Sequence, residues 1–292
     1  MTLAFATSLS VACERAKAPP RSDSTHGATG VPDSTTVAAS SRGKWDDAAG
    51  RVLLVAASVP GQAYVVTPDS ATAAAQIAAL PHPASVTLFG RGGTVQTADL
   101  SAVSDTTTCA VGVLHAAPPP RPWSVGFVGG VVAPLALDST EAIGTSDSSA
   151  LVVAITRLAS ALPNDTAGRF AGLPFVVRSL WRFTIPNGTV VVVASINRQI
   201  NQEATPLQEH TLIIGERATN DTAFTMAYSE RSYGEEETIE SRDVLSGVLI
   251  GGNRVASLFV VRDYGDATAY SLIERGDDGR WRRRWTSARR HC

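Results

Sequence analysis

The chain has 292 residues, 44% of them apolar, and its 25 Lys and Arg stand against 27 Asp and Glu for a formal net charge of -2. That length and apolar content suffice for one large core or two medium ones. The balanced charge and a pI near 6.2 exclude the dominant basic field of a constitutive nucleic-acid binder, so no nucleic-acid partner is expected.

Met1 to Ala12 carries no charge and ends in Leu9-Ser10-Val11-Ala12-Cys13. These five positions resemble the lipobox of bacterial lipoproteins, in which a small residue precedes a cysteine that is acylated and left as the new N-terminus. The resemblance implies that residues 1–12 are a signal-like segment and that Cys13 is the lipidation site. It also implies an exported protein held to the membrane by an N-terminal lipid, facing the periplasm or the cell surface. Past that point no segment reaches the roughly 18 uninterrupted apolar residues of a spanning helix. Residues 13–44 are mostly Ser, Thr, Gly, Asp and Ala, with Val31 and Val37 the only large apolar side chains. Such a stretch cannot bury enough surface to offset its ordering entropy and reads as a disordered tether, with order beginning near Trp45.

The three cysteines are Cys13, Cys109 and Cys292. An odd count in an exported chain leaves one thiol to explain, and lipidation of Cys13 leaves an even pair. A Cys109–Cys292 disulfide is then expected in an oxidising compartment, pinning the C-terminal tail. In the chain-entropy description a loop of that length contributes about 4 to 5 kcal/mol.

From Arg51 the pattern is mostly period two. Arg51 to Ser58 and Gln62 to Thr67 read as a hairpin across Val59-Pro60-Gly61. Ser70 to Leu80 reads as a short helix N-capped by Asp69. Ser85 to Gly90 and Thr94 to Leu100 flank the turn Arg91-Gly92-Gly93, and short strands follow at Cys109 to His115, Trp123 to Val128 and Val131 to Leu137. A firm helix is predicted from Ser146, where several side-chain oxygens could cap it, to Pro163, with Leu151, Ile155, Leu158 and Leu162 in one apolar stripe. It marks the joint between an N-terminal β-rich half, residues 45–145, and a C-terminal half, residues 146–292, which together form either two domains or one.

In the second half, strict alternation from Phe175 to Ile185 puts Phe175, Val177, Trp181, Phe183 and Ile185 on one face. Pro186-Asn187-Gly188 reverses the chain into Thr189 to Ile200. Strands follow at Thr211 to Glu216, Ala223 to Arg231, Val244 to Ile250, Val255 to Asp263, Ala267 to Arg275 and Arg280 to Ser287, the last four as a meander. The expected fold class is mainly β (α+β): antiparallel sheets built from hairpins and a C-terminal meander, with one or two short helices.

Candidate chemistry is sparse. The five histidines, His26, His82, His115, His210 and His291, never fall at the spacing of a local metal pair, so no metal or cofactor is expected. There is no Gly-x-Ser-x-Gly elbow, and Gly144 to Ser148 reads as helix capping. Gly90-Arg91-Gly92-Gly93 lacks the helix and lysine of a phosphate loop and reads as a hairpin turn. In Arg280-Trp281-Arg282-Arg283-Arg284-Trp285, alternation puts Arg280, Arg282 and Arg284 opposite Trp281 and Trp285. That arginine row either meets an anionic partner or guards an edge strand against sheet-to-sheet pairing. The leading functional expectation is an exported envelope lipoprotein acting as a non-enzymatic binding or structural module for an envelope protein or surface component. The alternative is an exported hydrolase with a site assembled from dispersed residues, which would show a deep pocket lined by a hydrogen-bonded Ser or carboxylate pair.

Overall fold

A computed structural model describes residues 43–105, 109–163, 168–201 and 206–291. The signal-like segment, Cys13, residues 14–42 of the tether and Cys292 lie outside the described residues. The protein is mainly β, and all its strand pairings are antiparallel.

The first six strands close a barrel: β1 (Leu53–Ala56), β2 (Gln62–Val66), β3 (Ala84–Phe89), β4 (Val95–Asp105), β5 (Ala110–His115) and β6 (Val125–Val128), in the order β1-β2-β5-β4-β3-β6. Leu54, Val65, Val86, Leu88, Leu100 and Leu114 fill its interior. The alternate residues Leu53, Val55, Val66, Phe89 and Phe127 point outward, yet they are buried too. So narrow a barrel needs small inward residues: a Cβ on Gly112 would sit 2.4 Å from Leu100 Cδ1. The predicted helix after β2 is shorter than expected, a 3-10 turn at Ser70–Thr72 followed by α1 (Ala73–Ala78), with the Asp69 carboxylate accepting from the Ala71 amide.

The remaining strands are β7 (Val132–Leu135), β8 (Asp138–Ser139), β9 (Val176–Thr184), β10 (Val190–Ile200), β11 (Leu207–Arg217), β12 (Thr225–Glu235), β13 (Ser241–Ile250), β14 (Val255–Asp263), β15 (Thr268–Arg275) and β16 (Trp281–Thr286). They form two five-stranded sheets, β12-β11-β10-β9-β8 and β16-β15-β14-β13-β7. The predicted meander of the last four strands is present, and β16 pairs with β15 across the Gly276–Gly279 turn with Arg282 opposite Glu274. β8 was not expected, and the place of β7 beside β13 was not legible, because that pairing joins residues far apart in the chain.

The layers stack in a simple order. Helix α2 (Thr145–Ser160) lays Leu151, Ile155 and Ala159 on Leu180, Val192, Ile196 and Ile213 of the β8–β12 sheet. It comes close enough that a Cβ on Gly215 would sit 2.8 Å from Leu158 Cδ1. The other face of that sheet packs Phe183, Val191, Val193, Leu212 and Ile214 against Val244, Leu258, Val260, Ile273 and Trp281 of the second sheet. The second sheet's far face carries Val248, Phe259, Leu272 and Trp285, which meet the outward row of the barrel. At the tip of the β3–β4 hairpin Arg91 donates to the Leu245 carbonyl at 3.1 Å and lies 5.0 Å over the Trp181 ring, so the glycine turn fastens the barrel to the sandwich.

Three local expectations are corrected. The N-cap of α2 is Gly144, with no side-chain capping bond; Ser146, Asp147 and Ser148 lie inside the first turn, where Asp147 complements the helix dipole instead. The alternation in β9 breaks at a bulge: Ser195 opposes Ser179 and Ile196 opposes Val177, leaving Arg178 as the extra residue. Phe175 and Val177 therefore face α2, while Trp181, Phe183 and Ile185 face the second sheet. In β16 Leu272 opposes Trp285 and Ile273 opposes Arg283, so Arg284 is the extra residue. Trp281 and Trp285 consequently sit on opposite faces, one between the sheets and one against the barrel.

Candidate binding site

The chain enters the described fold at a cavity. Gly43 forms a bridge with Trp285, and Trp45 is buried edge-on against the Trp285 ring with centroids 4.7 Å apart. Its indole nitrogen donates to the Gly50 carbonyl at 2.8 Å, and the Asp46 carboxylate accepts from the Ala48 amide at 2.8 Å, capping the 3-10 turn Asp47–Ala49. This turn, the barrel rim and α1 enclose a cavity of about 770 Å³ lined by Trp45, Asp47, Arg51, Pro68, Gln76 and Val128 among others. Arg51 reaches across to the Ala79 carbonyl at 3.4 Å and ties α1 to the rim. Gln76 donates to Thr72 Oγ1 at 2.9 Å, while its own Oε1 is buried with no hydrogen-bond partner. The cavity thus offers an apolar floor, one carboxylate, one guanidinium, the Ser85 hydroxyl and one unused amide carbonyl. Those groups can hold and orient a ligand.

A serine, a carboxylate and a histidine line up across three barrel strands. The register places Ser85 of β3 beside Asp99 of β4, and Asp99 beside His115 of β5, on the exposed barrel face over a cavity of about 530 Å³. The carboxylate occupies the middle position, whereas a serine nucleophile needs the imidazole next to it.

The residues singled out in the sequence fall in different places. Cys13 and Cys292 lie outside the described residues, and Cys109 is buried just ahead of β5. Arg282 and Arg284 are exposed but paired, the first with Asp278 at 2.5 Å and the second with Glu274 at 3.1 Å. Arg280, before β16, donates its amide to Asp278. The three arginines are therefore not drawn together into one site, and two of them already hold a carboxylate.

Sequence reading missed a buried ionic cluster that closes one end of the sandwich. Arg262 is only 2% exposed and contacts both Glu230 and Glu240 while its Nε donates to Ser271 Oγ at 3.0 Å. Arg242 lies 3.1 Å from Glu230 and 3.0 Å from Glu240, Arg283 donates to Glu230 at 2.9 Å, and the Tyr228 hydroxyl donates to Glu230 at 2.5 Å. Glu230 belongs to one sheet and the three arginines to the other. Burial pushes the Glu230 carboxyl up, but Arg262, Tyr228, Arg242 and Arg283 outweigh it and hold it below the usual carboxylate range. Glu274 behaves in the opposite way: burial dominates and the Asp46 carboxylate adds to it, so its proton is held above the usual range despite Arg284. Neither residue stands in a recognisable motif. The only sequence signal was a run of acids and arginines at alternate positions in neighbouring strands.

Comparison of the chain with protein-family models, curated proteins and solved structures gives no match.

The two carboxylates predict opposite pH behaviour. Glu230, with its folded pKa lowered, contributes stability that is complete above the unfolded value of about 4.3 and is lost as pH falls through the folded value. Glu274, with its folded pKa raised, contributes stability present below that unfolded value and lost as pH rises through the folded one. Thermal unfolding across pH should therefore show Glu230→Gln much less stable than wild type at neutral pH, with the gap narrowing in acid. Glu274→Gln should be more stable at neutral pH, with no gain near pH 4.

Proposed function

We propose that the protein is an exported, lipid-tethered binding module of the cell envelope that holds an envelope ligand in the cavity at the barrel rim. The observation that carries this reading is where the tether meets the fold. Gly43 pairs with Trp285, and Trp45 and Asp47, a few residues on, line the cavity of about 770 Å³. In sequence, the segment that follows Cys13 leads into Gly43, beside this cavity. The lining groups support holding rather than turnover. The hydrolase reading would rest on Ser85, Asp99 and His115, whose order across the strands does not favour it.

Two measurements test this reading. Mass spectrometry of the full-length product from bacterial membranes should find an acylated Cys13 at its N-terminus, and Cys13→Ser should move the protein to the soluble fraction; a wild-type chain that stays soluble and unmodified overturns the tether. Ala79→Trp, at an exposed position lining the cavity, should lower retention of isolated envelope fragments on the immobilised protein by about tenfold, which corresponds to about 1.4 kcal/mol. Unchanged retention would remove the cavity from the proposal.

The proposal includes the Cys109–Cys292 disulfide as a clasp between the barrel and the C-terminal tail. Several placements support it. Cys109 is buried and its sulfur is bonded. Continuing the antiparallel register of β2 and β5 two residues beyond Tyr64–Val111 brings Cys109 opposite Val66. Arg290 bridges Thr268, and its guanidinium lies 3.5 Å from Thr67 Oγ1, so the tail runs to the same end of β2. Peptide mapping without reduction should recover Cys109 linked to Cys292; Cys109 linked to Cys13 would refute both the clasp and the lipid anchor.

A further inference from the structure

Away from the barrel, a second cleft runs between α2 and the β11–β12 hairpin. Its volume is about 450 Å³, and its floor and walls are formed by Leu151, Ala154, Leu158, Ala223 and Phe224. Val153 lines it too and is 57% exposed, an apolar side chain left facing water. Arg157 and Arg217 stand in its lining, and the Arg217 guanidinium lies 4.8 Å over the Phe224 ring. Among the described residues neither arginine forms an ion pair with a carboxylate. This contrasts with Arg198, Arg242, Arg262, Arg275, Arg282, Arg283 and Arg284, each of which holds an acid.

We propose that this cleft binds a single-chain aliphatic carboxylate, a medium-chain fatty acid. The apolar strip along Leu151, Ala154 and Leu158 takes the acyl chain, and Arg157 and Arg217 take the carboxylate. The volume lies within the range of about 300 to 1,000 Å³ typical of small-molecule sites. The unpartnered charge sets the sign of the head group. A planar guanidinium can grip a carboxylate through two N–H donors, and stacking on Phe224 orients that plane. The site is separate from the rim cavity, with which it shares no lining residue.

The test is titration calorimetry of the full chain with dodecanoate, below its micelle-forming concentration, in low and in high salt. Saturable binding at one site, weakened by salt, is expected. Exposed ion pairs are weak, so the double variant Arg157→Gln/Arg217→Gln, which removes two, should bind dodecanoate about two- to thirtyfold more weakly at low salt. Dodecanol should bind wild type and double variant alike. Ala154→Phe, which fills the cleft, should abolish both while far-UV circular dichroism stays unchanged. The proposal is overturned if dodecanoate does not bind, or if the double variant binds it with wild-type affinity at low salt. It is equally overturned if Ala79→Trp at the rim cavity, rather than Ala154→Phe, abolishes binding.

Discussion

The sheet β16-β15-β14-β13-β7 is buried on both faces, and the rest of the molecule is arranged around that constraint. One face meets the β8–β12 sheet through Leu258, Val260, Ile273 and Trp281; the other meets the barrel through Val248, Phe259, Leu272 and Trp285. Phe259 lies at the centre of the second contact, 5.3 Å from the Phe127 ring and 6.2 Å from Trp45. Aromatic pairs of this kind add about 0.5 to 1.5 kcal/mol each beyond the area they bury, and truncating a buried Phe costs about 3 to 5 kcal/mol. A strand buried on both faces cannot alternate apolar and polar residues. This explains the near-continuous apolar run in β14, Ala256-Ser257-Leu258-Phe259-Val260. It also fixes the rim cavity, since Trp45 lies between this sheet and the turn that walls the cavity.

The sandwich is closed by charge at both ends. At one, Glu216 of β11 accepts from Arg275 of β15 at 2.7 Å and from the Trp281 indole at 2.6 Å; at the other, Arg242 and Arg262 lie between Glu230 and Glu240. Buried ion pairs are poor sources of net stability, because desolvation offsets most of the attraction; removing one partner, however, costs about 3 to 5 kcal/mol. Their effect is on register. Glu230 stands opposite Leu212 on β11, and a slip of one residue would turn its carboxylate away from the arginines and out of the sandwich. A second buried pair, Arg198 with Glu209 at 2.9 Å, works on the other face of the same sheet, with the Arg198 guanidinium 4.6 Å over Phe175. Both faces of this sheet are thus pinned by charge as well as by packing.

Hairpins and meanders were legible because they depend on local turn residues. The glycine turn before Thr94, the Pro186-Asn187-Gly188 reversal and the turns between the last four strands all join neighbouring strands as the sequence implies. Barrel closure by β1 and β6, and the pairing of β7 with β13, were not legible, since nothing local specifies which distant edge a strand will meet. The bulges at Arg178 and Arg284 misled the assignment of faces, because one inserted residue reverses the phase of everything beyond it. The candidate sites were hidden for a related reason. Trp45, Arg51 and Gln76 line one cavity only after the barrel closes, and Arg157 and Arg217 line another only after α2 docks. The arginine row before the C-terminus was visible in sequence, but its acids Asp278 and Glu274 lie in the adjacent turn and strand, where pairing decides the outcome.

If the shared sheet governs the fold, barrel and sandwich must unfold together. Differential scanning calorimetry of Phe259→Ala measures this most directly. The account predicts one transition, shifted to lower temperature, whose calorimetric and van't Hoff enthalpies remain equal. Two separate transitions, with the sandwich melting at its wild-type temperature after the barrel has unfolded, would contradict it.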